Sequence, residues 1–165
     1  SVLRNDYPGI RLYLIGTISK RNGYGRHIRK KIRSLKNRVI ELGPLNSKSV
    51  ANELCKSHVF VSASYIENSP NSVSEAQLIG MPVISTYTGG TPSLITEGKT
   101  GLLFPTGDVH MLICRIKEIF DNDRFALELG KNAMEVARKR HDSTQVKNQI
   151  LFAYEQILTE KNKDL

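Results

Sequence analysis

The sequence predicts an α/β fold: a Rossmann-like, doubly wound parallel sheet of about five strands with an all-helical C-terminal tail. Three observations carry this expectation. Short β-prone runs alternate with helical segments over residues 10–107, glycine or Gly-Pro marks the ends of those runs, and from Asp108 onward only helical spacing remains. Alternation of this kind is the signature of parallel βαβ units, whose right-handed crossovers wind helices onto both faces of one sheet.

In chain order, Val2 to Arg4 followed by Asn5-Asp6-Tyr7-Pro8-Gly9 reads as the last turn of a helix and its exit, because the residue before a proline avoids helical backbone. Doubly wound sheets seldom open this way, so residues 1–9 are expected to be a remnant whose preceding βα unit lies outside this sequence. The βαβ core is expected over 10–107. Ile10-Arg-Leu-Tyr-Leu-Ile15 is a β-prone run ending at Gly16, Thr17 to Gly25 offers turn chemistry, and a basic helix follows. Arg38 to Leu42, before Gly43-Pro44, gives a second strand, and Asn46 or Ser47 can cap a helix through Val50, Leu54 and Cys55. His58 to Ser62 gives a third strand and Ala63 to Ser69 a loop. Pro70 to Ile79 then forms a short helix, with Ser69 as N-cap, Pro70 in the first helical position and Gly80 as the stop. Met81 to Ser85 is a fourth strand, Pro92 to Ile95 a helical turn, and Leu102-Leu103-Phe104 a fifth strand.

Over 108–160, Asp108 is expected to cap Val109 to Phe120, Asp123 to cap Arg124 to Lys139, and Asp142 or Ser143 to cap a last helix reaching Leu158. Leu112, Ile116 and Ile119, then Leu129, Ala133 and Val136, then Ile150, Tyr154 and Ile157 keep helical spacing. Glu160 to Leu165 reads as a disordered tail.

A chain of 165 residues is long enough for one well-buried core. No apolar run approaches the roughly 20 residues that cross a bilayer, and the first residues lack the order of a signal peptide. A cytoplasmic protein is expected, at the inner face of a membrane where its basic helix makes contact. Cys55 and Cys114 fall in helical patterns with no second cysteine at metal spacing and are expected to be reduced core thiols. The net charge of +8 is localised: residues 20–38 hold nine Lys or Arg and no acid, which leaves 15 basic against 16 acidic residues elsewhere. Within that helix Tyr24, Ile28, Ile32 and Leu35 form a stripe expected to be buried, with Arg26, Arg29, Lys30, Lys31, Arg33 and Lys36 on the other faces. Such a face is either simply solvated or attracts anionic headgroups or an acidic partner. Stacking aromatics do not interleave with the charges, which argues against nucleic acid. His27, His58, His110 and His141 sit on different elements, so neither a metal site nor a catalytic histidine is expected.

Ligands of open parallel sheets bind at the carboxyl ends of the strands, beside helix N-termini, so the loops after Ile15, Leu42, Ser62 and Ser85 are the expected functional rim. The helix near Pro70 suits a diphosphate. Its end offers unpaired N–H groups and about half a positive charge, and Asn71, Ser72 and Ser74 are small and polar, with no acid among them. Glu75, just over one turn in, can accept two hydrogen bonds from a vicinal diol such as that of ribose. Glu67, in the preceding loop, faces whatever lies beyond the phosphates, where a sugar ring presents hydroxyls of the same kind. In a chain with ten glutamates, each also reads as a solvated acid. Gly16, Gly89 and Gly90 fit either close approach of backbone to a ligand or plain turns.

The run Glu67-x7-Glu75-Ala76, Gly80-Met-Pro-Val-Ile, Gly89-Gly90-Thr-Pro and Glu97-Gly98-x-Thr-Gly101-Leu-Leu resembles the donor-site half of the retaining glycosyltransferase family 4, nucleotide-sugar enzymes of the GT-B fold. The resemblance covers most of residues 10–158. It implies that residues 1–165 are a C-terminal donor-binding domain, that Glu67 contacts the donor sugar as the catalytic residue, that Glu75 contacts the ribose, and that Gly43-Pro44-Leu45 lie where the nucleobase packs. Asn68-Ser69-Pro70-Asn71 stands where many members have Gly-Phe-Gly, so the backbone donors to the sugar come from different residues. The family's diphosphate-binding Arg and Lys, and its acceptor domain, have no counterpart in this sequence.

The implied function is transfer of a sugar from a nucleoside-diphosphate sugar with retention of anomeric configuration and without a bound metal. The acceptor, a carbohydrate or lipid-linked sugar, would be held by an N-terminal domain in a setting such as polysaccharide assembly, with peripheral membrane contact through helix 20–38. This chain by itself is expected to bind weakly and turn nothing over. Two alternatives stay open: a nucleotide-sugar epimerase or hydrolase on the same fold, and a non-catalytic anion- or membrane-binding module acting through the basic helix.

Overall fold

The alternation read from the sequence is realised in a computed structural model, which describes residues 2–19 and 21–161. All strand pairings are parallel. The chain divides between Ser57 and His58 into two compact units, and the five strands among the described residues form a two-stranded and a three-stranded sheet.

The first unit holds α1 (Val2–Asp6), β1 (Leu12–Ile15), α2 (Gly23–Ser34), β2 (Val39–Gly43) and α3 (Ser47–Cys55). β1 pairs with β2 from Leu12↔Val39, and the register slips between Leu14 and Ile15. Two asparagines start its longer helices: Asn22 accepts from Gly25 N at 2.7 Å and Asn46 from Ser49 N at 2.9 Å, each satisfying a first-turn donor. Arg29 crosses from α2 to the sheet, donating to Ile18 O at 2.8 Å and pairing with Glu41 at 3.4 Å. The expected apolar stripe of α2 is only half realised. Ile28 and Ile32 are partly covered, but Leu35 is exposed and Tyr24 is 76% exposed.

The second unit holds β3 (Phe60–Ser62), α4 (Asn71–Ile79), β4 (Val83–Thr86), α5 (Thr91–Leu94), β5 (Leu102–Phe104), α6 (Val109–Phe120), α7 (Asp123–Arg140) and α8 (Ser143–Lys161). The strands lie in the order β3-β4-β5 with all four residues of β4 buried. Ile84, Leu102, Phe104, Ile119 and Leu129 form its core, with Val61, Leu112, Ile116 and Phe125 packed against them. Each such side chain contributes roughly 1.5–3 kcal/mol by leaving water. Gly130 of α7 meets the carbonyl of Gly80 so closely that a Cβ there would overlap it, which lets α7 lie directly on α4. The Glu97-Gly98-x-Thr-Gly101 stretch is structural: Glu97 accepts from Leu103 N at 2.7 Å and from Arg115 at 2.6 Å, tying the entry of β5 to α6.

Several local expectations are corrected. α4 starts at Asn71, with Pro70 as its N-cap and no side-chain cap bond from Ser69. The extended ψ of 107° at Pro70 lets the helix begin only after it. Asn122 rather than Asp123 caps α7, accepting from Phe125 N at 3.0 Å, which puts Asp123 inside the first turn. Asp142 caps α8 through Gln145 N at 2.8 Å. Both cysteines are exposed: Cys114 stands two residues from Leu112 and Ile116, about 200° around the helix from each, and Cys55 ends α3 one step past buried Leu54. Val136 is exposed while Ala137 is buried, and Ile150, Tyr154 and Ile157 of α8 are exposed. Glu160 and Lys161 continue α8; the rest of the expected tail lies outside the described residues. Among the described residues no helix is long and apolar enough to cross a membrane, and no group of three His, Cys, Asp or Glu is placed to hold a metal.

Candidate functional site

In the second unit the loop after β3 and the loop after β4 are stitched together. The post-β4 segment Thr86-Tyr-Thr-Gly-Gly90 presents three donors to three carbonyls: Thr86 Oγ1 to Ser64 O at 2.8 Å, Thr88 Oγ1 to Tyr65 O at 3.3 Å, and Gly90 N to Asn68 O at 2.5 Å. The glycines are required by this packing. A Cβ at Gly89 would overlap the carbonyl of Glu67, one at Gly90 that of Asn68, and Gly89 also has a φ of +52°. Gly89 and Gly90 thus shape the site by holding the loop that carries Glu67.

Glu67 is half-buried, and Ser64 Oγ donates to its Oε1 at 2.8 Å. Asn68 and Ser69 are exposed, Pro70 is buried, and Asn71 and Ser72 form the exposed first turn of α4. This turn has neither a side-chain cap nor an acid, so its leading N–H groups are unmatched by any side chain and favour an anion. Glu75 is exposed on the next turn of α4 and accepts no hydrogen bond among the described residues.

The inner face of α4 is anchored by a polar network that the sequence reading missed. Gln77 is 0% exposed and donates to Leu94 O at 2.9 Å and to Thr100 O at 3.3 Å. Its Oε1 accepts from Arg140 at 2.7 Å, and the same guanidinium reaches Ser74 Oγ at 3.4 Å. Desolvation holds the Arg140 pKa below its ordinary value. A glutamine among the apolar residues of a helix was a visible signal, though nothing local named its partners. Ser64, Thr86 and Thr88 were missed for the same reason.

The other sequence-predicted residues belong to the first unit. Gly16 N donates to Gly43 O at 2.8 Å, bringing those two strand ends together, and both glycines have positive φ. Pro44 is exposed and Leu45 half-buried. Gly16, but not Gly43, Pro44 or Leu45, lines a shallow cleft of about 380 Å³ together with Ile15, Thr17, Asn22 and Gly25 among others.

Residues 1–122 match the family described as glycosyl transferases group 1, and the chain belongs to that family. It is 31% identical over 113 residues to the sulfoquinovosyl transferase SQD2 of Arabidopsis thaliana, a stretch covering 65% of this chain and 22% of that protein. In structure it is similar to sucrose-phosphate synthase from Thermosynechococcus elongatus, with a TM-score of 0.83, 26% identity, and coverage of 96% of this chain and 41% of that one. It is also similar to Anabaena Alr3699/HepE, solved in complex with UDP-glucose, with a TM-score of 0.81, 23% identity, and coverage of 90% and 42%. These neighbours make the fold that of the GT-B glycosyltransferases. The chain spans about a quarter of the curated relatives' length and about two fifths of the solved ones.

Proposed function

We propose that this chain is the donor-binding half of a retaining glycosyltransferase, which passes a hexosyl group from a nucleoside-diphosphate sugar to a carbohydrate or lipid-linked acceptor held by a separate N-terminal domain. The observation that carries this reading is the uncapped, acid-free start of α4 with a carboxylate on either side of it in sequence: Glu67 before it and Glu75 on its second turn. The diphosphate docks on the amides at Asn71 and Ser72, Glu75 holds the ribose diol, and Glu67 holds the donor sugar. The backbone around Asn68, Ser69 and Pro70 lines the sugar. As the glycosidic bond breaks, negative charge grows on the leaving diphosphate, where fixed amide dipoles stabilise it most. No metal enters this scheme.

The acceptor domain must close over the donor to exclude water, so the chain alone binds donor and turns nothing over. The enzyme works on the cytoplasmic side, and the basic helix α2 is its contact with an anionic membrane. An epimerase or hydrolase would need an acid-base His or Asp beside the sugar, and none occurs between Ser62 and Gly90. Calorimetry with a panel of nucleoside diphosphates and their sugars tests the reading. Glu75→Ala is expected to weaken all members that bind by about tenfold to a hundredfold, the worth of a hydrogen bond to a charged group. Equal affinities for wild type and variant would overturn the ribose assignment.

A further inference from the structure

We infer that Ser64 is a positioning residue for the donor sugar: its hydroxyl engages Oε1 of Glu67 and turns Oε2 toward the sugar hydroxyls. This deepens the donor-site reading above and rests on it. The geometry is a short relay from the core to the carboxylate. Thr86, 1% exposed on the fully buried strand β4, donates to Ser64 O at 2.8 Å; Ser64 Oγ in turn donates to Glu67 Oε1 at 2.8 Å. The backbone beyond Glu67 is fixed independently, by Gly89 against its carbonyl and by the bond from Gly90 N to Asn68 O. Glu67 is therefore restrained along its main chain and at the tip of its side chain.

Glu75 is the contrast within the same site. It is exposed and its carboxylate has no partner among the described residues, so both oxygens are open and suit a vicinal diol. A carboxylate with one oxygen already engaged and its rotation restrained presents its remaining lone pairs, chiefly those of Oε2, in a fixed direction. Such a group favours sugar hydroxyls placed along that direction. Orientation is also what a loop carboxylate otherwise lacks, since a free glutamate loses side-chain entropy on engaging a ligand. Ser64 removes that cost before the donor arrives.

The test reads the sugar increment, the ratio of dissociation constants for a nucleoside diphosphate and for its hexose conjugate, by calorimetry with UDP and UDP-glucose, GDP and GDP-mannose, and ADP and ADP-glucose. S64A is expected to shrink the increment about tenfold while affinity for the diphosphate alone and the melting temperature stay as in wild type, and S64T is expected to restore it. T86V, which cuts the relay one bond further back, is expected to shrink the increment in the same direction; should S64A not fold, T86V decides. An unchanged increment in S64A beside a lost one in E67Q would overturn the role of Ser64 and leave the donor site standing. Equal weakening of diphosphate and conjugate by S64A would also overturn it, as general loosening of the loop. An increment unmoved by E67Q, or absent from the wild type, would remove the donor-site reading and this inference with it.

Discussion

The two units of this chain use similar strand and helix patterns to different ends. In the unit from His58 onward, β4 is wholly buried and its Ile84 joins four large apolar side chains from other elements in one core. In the unit ending at Ser57, Leu54 is the one fully buried large apolar residue among those described, while Leu12, Tyr13 and Ile15 of β1 are exposed. Alternating elements therefore specify strands and helices in both, but only the second encloses a core of its own. The loop carrying Glu67 and the helix carrying Glu75 belong to that second unit, whose interior can hold a loop still through Thr86.

Removing core from each unit separates the two most clearly. Leu129→Ala is expected to destabilise the second unit by about 2–5 kcal/mol, seen as a large fall in the urea midpoint; a loss below about 1 kcal/mol would mean that core is not what holds the unit. Replacing Lys30, Lys31 and Arg33 by glutamine is expected to weaken binding to vesicles containing anionic lipid by about 3 kcal/mol, near 1 kcal/mol per basic residue. Donor affinity is expected to stay constant in this triple variant, and a loss of donor binding would place the ligand on the first unit's basic helix instead. Gln77→Leu removes the 2.7 Å partner of Arg140 and the side-chain amide donor of the Leu94 and Thr100 carbonyls, leaving Arg140 only its 3.4 Å contacts with Leu94 O and Ser74 Oγ in this network, and is expected to cost about 1–3 kcal/mol by thermal unfolding, with α5 and the following turn loosened first in hydrogen exchange. The smallest effect is expected of Leu12→Ala, half exposed on β1: under about 1 kcal/mol, since little of its surface leaves water on folding.

Sequence reading succeeded where the cause is local. Asn46, Asp108 and Asp142 cap helices because an acceptor side chain sits beside an amide three residues on, and Gly80 ends α4 with a φ of +82° for an equally local reason. It failed where the cause lies elsewhere in the chain. Periodicity marks one face of α2 and of α8 as apolar, but cannot say whether anything covers it, so Tyr24 and Ile150 stay exposed. Pro70 and Ser69 each suit the start of a helix, and only backbone geometry separates the two registers. Of the site, the pair Glu67 and Glu75 and the glycines at 89 and 90 were legible as a motif. The bonds that orient Glu67 were not, since Thr86 and Ser64 are 22 residues apart and neither carries a periodic or charge signal.

In the proposed donor site Glu67 and Glu75 attend one ligand seated on the start of α4. A crystal structure with a nucleoside-diphosphate hexose tests it most directly. Phosphate oxygens are expected within about 3 Å of the Asn71 and Ser72 amides, a Glu75 oxygen at hydrogen-bond distance from each of the two ribose hydroxyls, and Oε2 of Glu67 on the hexose hydroxyls with Ser64 still on Oε1. A donor bound away from α4, or the two carboxylates facing different sides of the molecule, would contradict it.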